Sequence, residues 1–254
     1  MIDSHCHLTD ERIDTKKTIE NMKADGLTAL VTIGYDMDTS RQCLEIAKNN
    51  QNVYASVGVH PLDVSGMTEK DLDVLNQMSQ EDKVVAIGEI GLDYHYEDTD
   101  RQLQKYWLCR QLELIEQVKL PAVFHLRDAY EDMLEIITAK RHKLVKGGVM
   151  HCFSGSVETA KKYLDMGFYI SLSGTVTFKN AKKLVDVAKI VPDDRLLAET
   201  DCPYLAPEPH RGQLNIPAYV RHTIDKLAEI RQKDFEYIEE ITQKNTKNLF
   251  FKMK

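Results

Sequence analysis

Short runs of apolar and β-branched residues recur along the chain, each followed by a polar turn and then by a longer stretch whose apolar positions return at helical spacing. The short runs predict strands over Ile2 to His5, Leu27 to Ile33, Val53 to Val59, Val84 to Glu89, Ala122 to His125, Gly148 to His151, Phe168 to Leu172 and Leu196 to Thr200. Helices are predicted between them, for example over Asp38 to Asn49 and over Gln102 to Val118, where Leu103, Trp107, Leu114 and Val118 share one face. Regular alternation of strand and helix gives either an open doubly wound sheet or a closed parallel barrel, and about eight repeats in 254 residues favour closure. The expected fold is α/β, a single (β/α)8 TIM barrel spanning residues 1–254 as one domain. A dinucleotide-binding sheet needs Gly-x-Gly-x-x-Gly at the first strand-to-helix turn, which here reads His5-Cys6-His7-Leu8-Thr9-Asp10. No linker, low-complexity tract or shift in composition marks a boundary between domains.

Composition narrows the class without naming a chemistry. With 43% hydrophobic and 29% charged residues the chain resembles average soluble proteins, which excludes disordered and collagen-like chains. No apolar stretch approaches the roughly 18 residues of a membrane helix. Met1-Ile2-Asp3-Ser4-His5 has neither the basic flank nor the apolar core of a signal peptide, so a cytoplasmic location is expected. The net charge of -7 opposes long-range attraction of a polyanion. Five cysteines without a Cys-x-x-Cys pair argue against a disulfide framework or zinc ribbon and suit a reducing compartment. No membrane and no obligate protein partner is implied.

In a barrel of this kind the reactive groups sit at the C-terminal ends of strands and in the following loops. Those ends carry His5 and His7, His60, Glu89, His125, His151 and Asp201. His5 and His7 are two apart, so an extended backbone turns both imidazoles to one face and Cys6 to the other. Taken alone, a His-x-His pair is more often incidental than chelating. Glu89, in Ile87-Gly88-Glu89-Ile90-Gly91, is a carboxylate delivered by an apolar strand, and burying it demands a cation or a hydrogen-bonding partner. An arginine or lysine distant in sequence is the alternative partner. His125 and His151 taken singly read as core histidines, and Asp201 as a turn carboxylate. Their convergence on one rim carries the weight. Two imidazole pairs and two carboxylates exceed the needs of one four-coordinate cation, so two divalent metals bridged by Glu89 are expected, with water activated between them for hydrolysis. Mixed histidine and carboxylate donors suit Zn, Mn, Co, Ni and, less well, Mg. Cys6, Cys152 and Cys202 are expected to pack under the helices, turned from the metal face by strand alternation.

Several blocks together resemble the TatD family of metal-dependent deoxyribonucleases: Asp3-Ser4-His5-Cys6-His7-Leu8, Gly58-Val59-His60-Pro61, Gly88-Glu89-Ile90-Gly91-Leu92-Asp93, His125-Leu126-Arg127-Asp128-Ala129, His151-Cys152-Phe153-Ser154-Gly155, Glu199-Thr200-Asp201-Cys202-Pro203-Tyr204 and Pro209-His210-Arg211-Gly212. They span nearly the whole chain in family order. The resemblance implies a dinuclear site in which His5, His7, Glu89 and Asp201 hold one metal and Glu89, His125 and His151 the second, with Glu89 and Asp201 as catalytic residues and Asp201 orienting or deprotonating the water. One departure is visible: the family usually shows Asn-Glu-Pro where this chain has Asn215-Ile216-Pro217.

The implied reaction is metal-dependent cleavage of DNA phosphodiester bonds. His60, Arg127, Ser154, His210 and Arg211 are the candidate phosphate contacts, although loop arginines are commonly solvated and Asp128 beside Arg127 reads equally well as a helix cap. An acidic surface and few aromatics in the rim motifs point to a single strand or strand end rather than a long duplex. The alternative enzyme hydrolyses a small amide, lactone or ester at the same dinuclear site, and a metal-stabilised scaffold is the non-enzymatic alternative.

Overall fold

The computed structural model describes residues 1–96 and 98–254. Its eight strands are β1 (Ile2–Cys6), β2 (Ala29–Ile33), β3 (Val53–Val57), β4 (Val84–Asp93), β5 (Ala122–Arg127), β6 (Gly148–Met150), β7 (Tyr169–Leu172) and β8 (Leu196–Ala198). The helices among the described residues are α1 (Thr15–Asn21), α2 (Met37–Asn49), α3 (Glu69–Ser79), α4 (Arg101–Val118), α5 (Tyr130–Lys140), α6 (Val157–Asp165), α7 (Lys182–Ile190), α8 (Val220–Arg231) and α9 (Phe235–Leu249). Each strand pairs in parallel with the next, in the order β1 to β8. The seam closes through a parallel bridge between Cys6 and Cys202, where His7 N donates to the Cys202 carbonyl and Asp201 N to the His5 carbonyl, both at 2.9 Å. The fold is a (β/α)8 barrel, and the seam that closes it is made by the backbones of His5, His7, Asp201 and Cys202. No helix among the described residues is long and apolar enough to cross a membrane.

Local chemistry sets the element boundaries. Asp36 caps α2 through Thr39 N at 2.7 Å, and Asp100 caps α4 by accepting from Gln102 N and Leu103 N, so each helix begins one residue before the sequence reading. β4 and β5 run past Glu89 and His125 to Asp93 and Arg127, because Ile90 to Asp93 keep pairing with Phe124 to Arg127. β6 and β8 stop short of His151 and Thr200, which leaves those tips free to turn.

Strand alternation sorts the core. A smaller apolar cluster takes Val31, Val123, Val149 and Leu197 from the strands and is closed below by Leu249, Phe250 and Met253 at the end of α9. The intervening residues Leu30, Phe124, Met150 and Ala198 belong to the larger cluster shared with the helices. Two residues above Val123 and Val149 come His125 and His151, and above Leu197 come Glu199 and then Asp201. The period of two therefore lifts polar groups to the C-terminal mouth on the same inward side that is apolar below. Glycine lets β4 lie close to β5: Gly88 and Gly91 sit at φ 155° and 152°, and a Cβ at Gly91 would collide with the His125 carbonyl.

Candidate metal centre

Glu89 is 3% exposed, and its two carboxylate oxygens face different groups. Oε2 lies 3.4 Å from His5 Nε2 and 3.8 Å from His7 Nε2, while Asp201 Oδ1 stands 3.6 and 3.4 Å from the same two nitrogens. Oε1 lies 2.7 Å from both His125 Nδ1 and His151 Nε2. Two donor groups thus share one carboxylate: His5, His7 and Asp201 on one side, His125 and His151 on the other. No lysine or arginine pairs with Glu89 among the described residues, which removes the alternative partner open at the sequence level.

The donor set fits divalent cations on an independent observation. Both ring nitrogens of His5 are buried and neither has a hydrogen-bond partner, although Nε2 faces two carboxylates within 3.6 Å. Such an orphaned atom is costly in a protein interior, and a metal ligated at Nε2 removes part of that cost. The remaining imidazoles are oriented from behind. His7 Nδ1 donates to the Ile33 carbonyl at 3.1 Å, His125 Nε2 to Asp93 Oδ2 at 3.0 Å, and His151 Nδ1 to Glu199 Oε1 at 3.3 Å. In each neutral ring the nitrogen turned to Glu89 then carries the lone pair, as a metal ligand requires.

Burial opposes charge throughout the cluster, and mutual pairing overrides it. His151, His125 and His5 hold the Glu89 carboxyl well below its ordinary range against burial, and His7 and His151 do the same for Asp201 more mildly. Burial works against protonated His7, His125 and His151. Yet Asp201 and Glu89 raise the first, Asp93 and Glu89 the second, and Glu89 and Glu199 bring the third well above its ordinary value. His5 goes the other way, lowered by burial and by His151, whose ring stacks on it at 3.8 Å.

Sequence reasoning missed the groups that hold this arrangement still. Asp93 and Glu199 lie inside quoted motif blocks and point inward, which was their only signal. Asp93 accepts from His125 and, at 2.9 Å, from His95 N; Glu199 accepts from His151 and, at 2.6 Å, from Cys152 N. Two buried glutamines of α4 clamp the loops: Gln104 exchanges a pair of hydrogen bonds with the Asp93 backbone, and Gln111 does so with Val59 beside His60. Asn215 Nδ2 ties the turn bearing Asp201 by donating to the Thr200 and Tyr204 carbonyls at 2.9 and 2.6 Å. The neighbouring Ile216 is partly exposed, so the departure from the family pattern leaves that anchor in place.

A cavity of about 650 Å3 opens over the centre, and His60, Arg127 and Ser154 line it together with His7, Glu89, His125, His151 and Asp201. His60 accepts from Leu62 N at Nδ1, so Nε2 carries the proton, 3.7 Å from Glu89 Oε1; burial and the neighbouring His125 lower its pKa to about 3. With Asp93 and His125 it forms a further donor group, as do His5, His151 and Glu199. His210 and Arg211 do not line the cavity: the His210 ring stacks on Tyr219 at 3.9 Å, and the Arg211 guanidinium lies 3.7 Å from the Phe178 ring centre. The loop after Pro207 carries them outward, which a motif placed after the last strand does not reveal.

Three positions differ from the sequence expectation. Cys152 lines the cavity instead of packing under a helix, because β6 ends at Met150 and Cys152 turns to φ 39°, with Sγ 3.2 Å from Ser173 Oγ. Asp128 does not cap α5; its Oδ2 meets His95 Nδ1 at 3.1 Å. Aromatics are not scarce at the mouth, where Tyr35, Tyr96 and Tyr204 line the cavity from three different loops.

The family described as TatD related DNase matches residues 2–251. A Bacillus subtilis (strain 168) protein described as an uncharacterized metal-dependent hydrolase, YabD, is 44% identical over 98% of both chains. The Escherichia coli (strain K12) protein YcfH, described in the same words, is 38% identical over 98% of this chain and 95% of its own. Among solved structures, the TatD homologue YJJV from Escherichia coli K12 superposes with a TM-score of 0.93 at 30% identity, covering 99% of this chain and 98% of that one.

Proposed function

The chain belongs to the TatD-related DNase family and is a metal-dependent hydrolase, and from that premise we propose that it cleaves phosphodiester bonds of DNA, acting on a single strand or strand end. The observation that supports this reading best is the division of Glu89 between two donor groups. His5, His7, Asp201 and Glu89 Oε2 would hold one divalent cation, and Glu89 Oε1, His125 and His151 a second, drawn from Zn, Mn, Co, Ni or Mg. Cations bound there supply Lewis acidity, which acidifies water and draws charge from phosphoryl oxygens. Residues 1–254 act as one hydrolase domain, and five free cysteines suit the reducing cytoplasm.

The chain's own groups do the rest. Asp201 stays ionised because burial is outweighed by His7 and His151; it turns Oδ1 to the imidazoles and takes the proton of the attacking water at Oδ2. Arg127 pairs with phosphate at the cavity wall, and Ser154 Oγ, 3.1 Å from Tyr130 OH, adds a hydrogen bond. His60 contributes no charge, since its low pKa keeps it neutral, but its Nε2 proton serves as a donor. His210 and Arg211 have no part in this reading.

Protein stripped with chelator and refilled with Mg, Mn, Zn or Co is tested on a 5′-labelled single-stranded oligonucleotide, with Glu89→Ala beside it. Cleavage that needs both metal and Glu89 supports the proposal. No cleavage with any metal, although ions bind, contradicts it and favours a small amide, lactone or ester as substrate.

A further inference from the structure

Resting on the nuclease reading, we propose that Tyr204 is a stacking platform for an unpaired nucleobase adjoining the scissile phosphate. Tyr204 lines the cavity and is 49% exposed, a large fraction for an aromatic ring beside a buried polar cluster. Its position is nonetheless determined. Tyr204 N donates to the Asp201 carbonyl at 3.1 Å, so the ring and the candidate ligand share one short turn. Asn215, which is fully buried, grips the Tyr204 carbonyl at 2.6 Å. The Arg12 guanidinium carbon lies over the ring, 4.7 Å from its centre. Arg12 is in turn locked by a bidentate pair with Asp10, Nε to Oδ1 at 2.8 Å and Nη2 to Oδ2 at 2.7 Å. The His7 ring centre is 6.2 Å away at an interplanar angle of 76°, an edge-on neighbour that does not stack on the ring.

This construction has no need of an exposed ring if its purpose is to close the barrel; Asn215 and the backbone bonds already do that. A cation over one face of an aromatic ring supplies attraction there and leaves the other face for a ligand. The ligand chemistry follows from location. A phosphodiester reaching Glu89 and Asp201 carries a nucleoside within a few ångströms of His7, and a nucleobase presents a π-face that stacks on tyrosine whatever its sequence. Stacking on a side chain requires a base free of its partner, so the platform selects single strands and frayed ends over intact duplex. The fixed backbone means little ordering remains to oppose binding.

The test compares wild type, Tyr204→Ala and Tyr204→Phe on a metal-loaded protein. The substrates are a single-stranded oligonucleotide and versions with an abasic residue placed in turn on either side of the scissile bond. Tyr204→Ala should lower kcat/KM on the intact strand by about 10- to 100-fold, the range of base–aromatic stacking. Tyr204→Phe should stay within about threefold of wild type, because the stacking face survives. On one of the two abasic strands the alanine penalty should shrink to within about twofold, since both changes remove the same contact. An equal alanine penalty on intact and both abasic strands, or none on any, overturns the assignment while leaving the nuclease reading intact. If wild type cleaves no oligonucleotide with any metal, the nuclease reading falls and takes this one with it.

Discussion

Replacing Asp93 with asparagine should weaken one of the two donor groups and spare the other. Asp93 divides its carboxylate, Oδ1 accepting from His95 N at 2.9 Å and Oδ2 from His125 Nε2 at 3.0 Å, with the side chain 2% exposed. Asparagine keeps the shape but only one acceptor. If its oxygen stays on His95 N, its amide NH2 confronts the His125 Nε2 proton; if it flips, it confronts His95 N–H instead. His125 escapes the first clash by moving its proton to Nδ1, the atom that faces Glu89 at 2.7 Å, which removes the lone pair a cation needs. Losing such an orienting carboxylate costs about 10- to 100-fold in metal affinity, or about 1.4 to 2.8 kcal/mol. A charge-assisted hydrogen bond, worth about 1.5 to 3 kcal/mol, gives the same scale. Chelator competition with Co or Zn on stripped protein resolves stepwise affinities: one should fall by that factor, and the step assigned to His5, His7 and Asp201 should move by less than about threefold. Equal weakening of both steps, or no weakening with an unchanged circular dichroism spectrum, would show that Asp93 does not orient His125 for one donor group.

Metal uptake should release protons near neutral pH. The pairing with Glu89, Asp201, Asp93 and Glu199 outweighs burial and raises His7, His125 and His151 above the ordinary 6.5, so metal-free protein carries protons that a cation must displace. Affinity therefore rises with pH, whereas the stability those protonated histidines give the metal-free fold is complete below pH 6.5 and is lost as pH climbs through their raised values. Calorimetric titration in two buffers of different ionisation enthalpy measures the first, and thermal melts with chelator the second; a pH-independent affinity contradicts both. Asn215→Ala strands the buried Thr200 carbonyl and the Tyr204 carbonyl, for a cost of about 2 to 4 kcal/mol. The melting temperature should fall by roughly 5 to 15 °C; a change under about 2 °C would contradict it. Gly91→Ala meets the His125 carbonyl at a φ of 152° and should destabilise the fold by on the order of 3 kcal/mol or more, read by urea unfolding. An alanine variant as stable as wild type would show that the approach of β4 to β5 is not tight.

The barrel and the clustering of His5, His7, Glu89, His125, His151 and Asp201 at its mouth were legible because both follow from local periodicity. Val123 and His125, or Val149 and His151, are apolar and polar members of one inward-facing row, and alternation alone places the second above the first. The supporting groups were not legible, because their contacts join residues far apart in the chain. Gln111 reaches Val59 across 52 positions, and Glu199 reaches Cys152 across 47. The same holds for the cavity wall, where Tyr35, Tyr96 and Tyr204 come from separate loops and no motif contains more than one of them. Positions left the expected pattern where the backbone left its regular path: Cys152 escaped strand alternation at a positive φ, and the loop after Pro207 sets the His210 ring on Tyr219 and the Arg211 guanidinium over Phe178.

The division of Glu89 between two cations is tested most directly by anomalous diffraction from crystals of the protein loaded with Mn or Zn. Two peaks are expected, one among His5, His7, Asp201 and Glu89 Oε2 and the other among Glu89 Oε1, His125 and His151. A lone peak among His60, Asp93 and His125, the competing donor group in the same cavity, would contradict it.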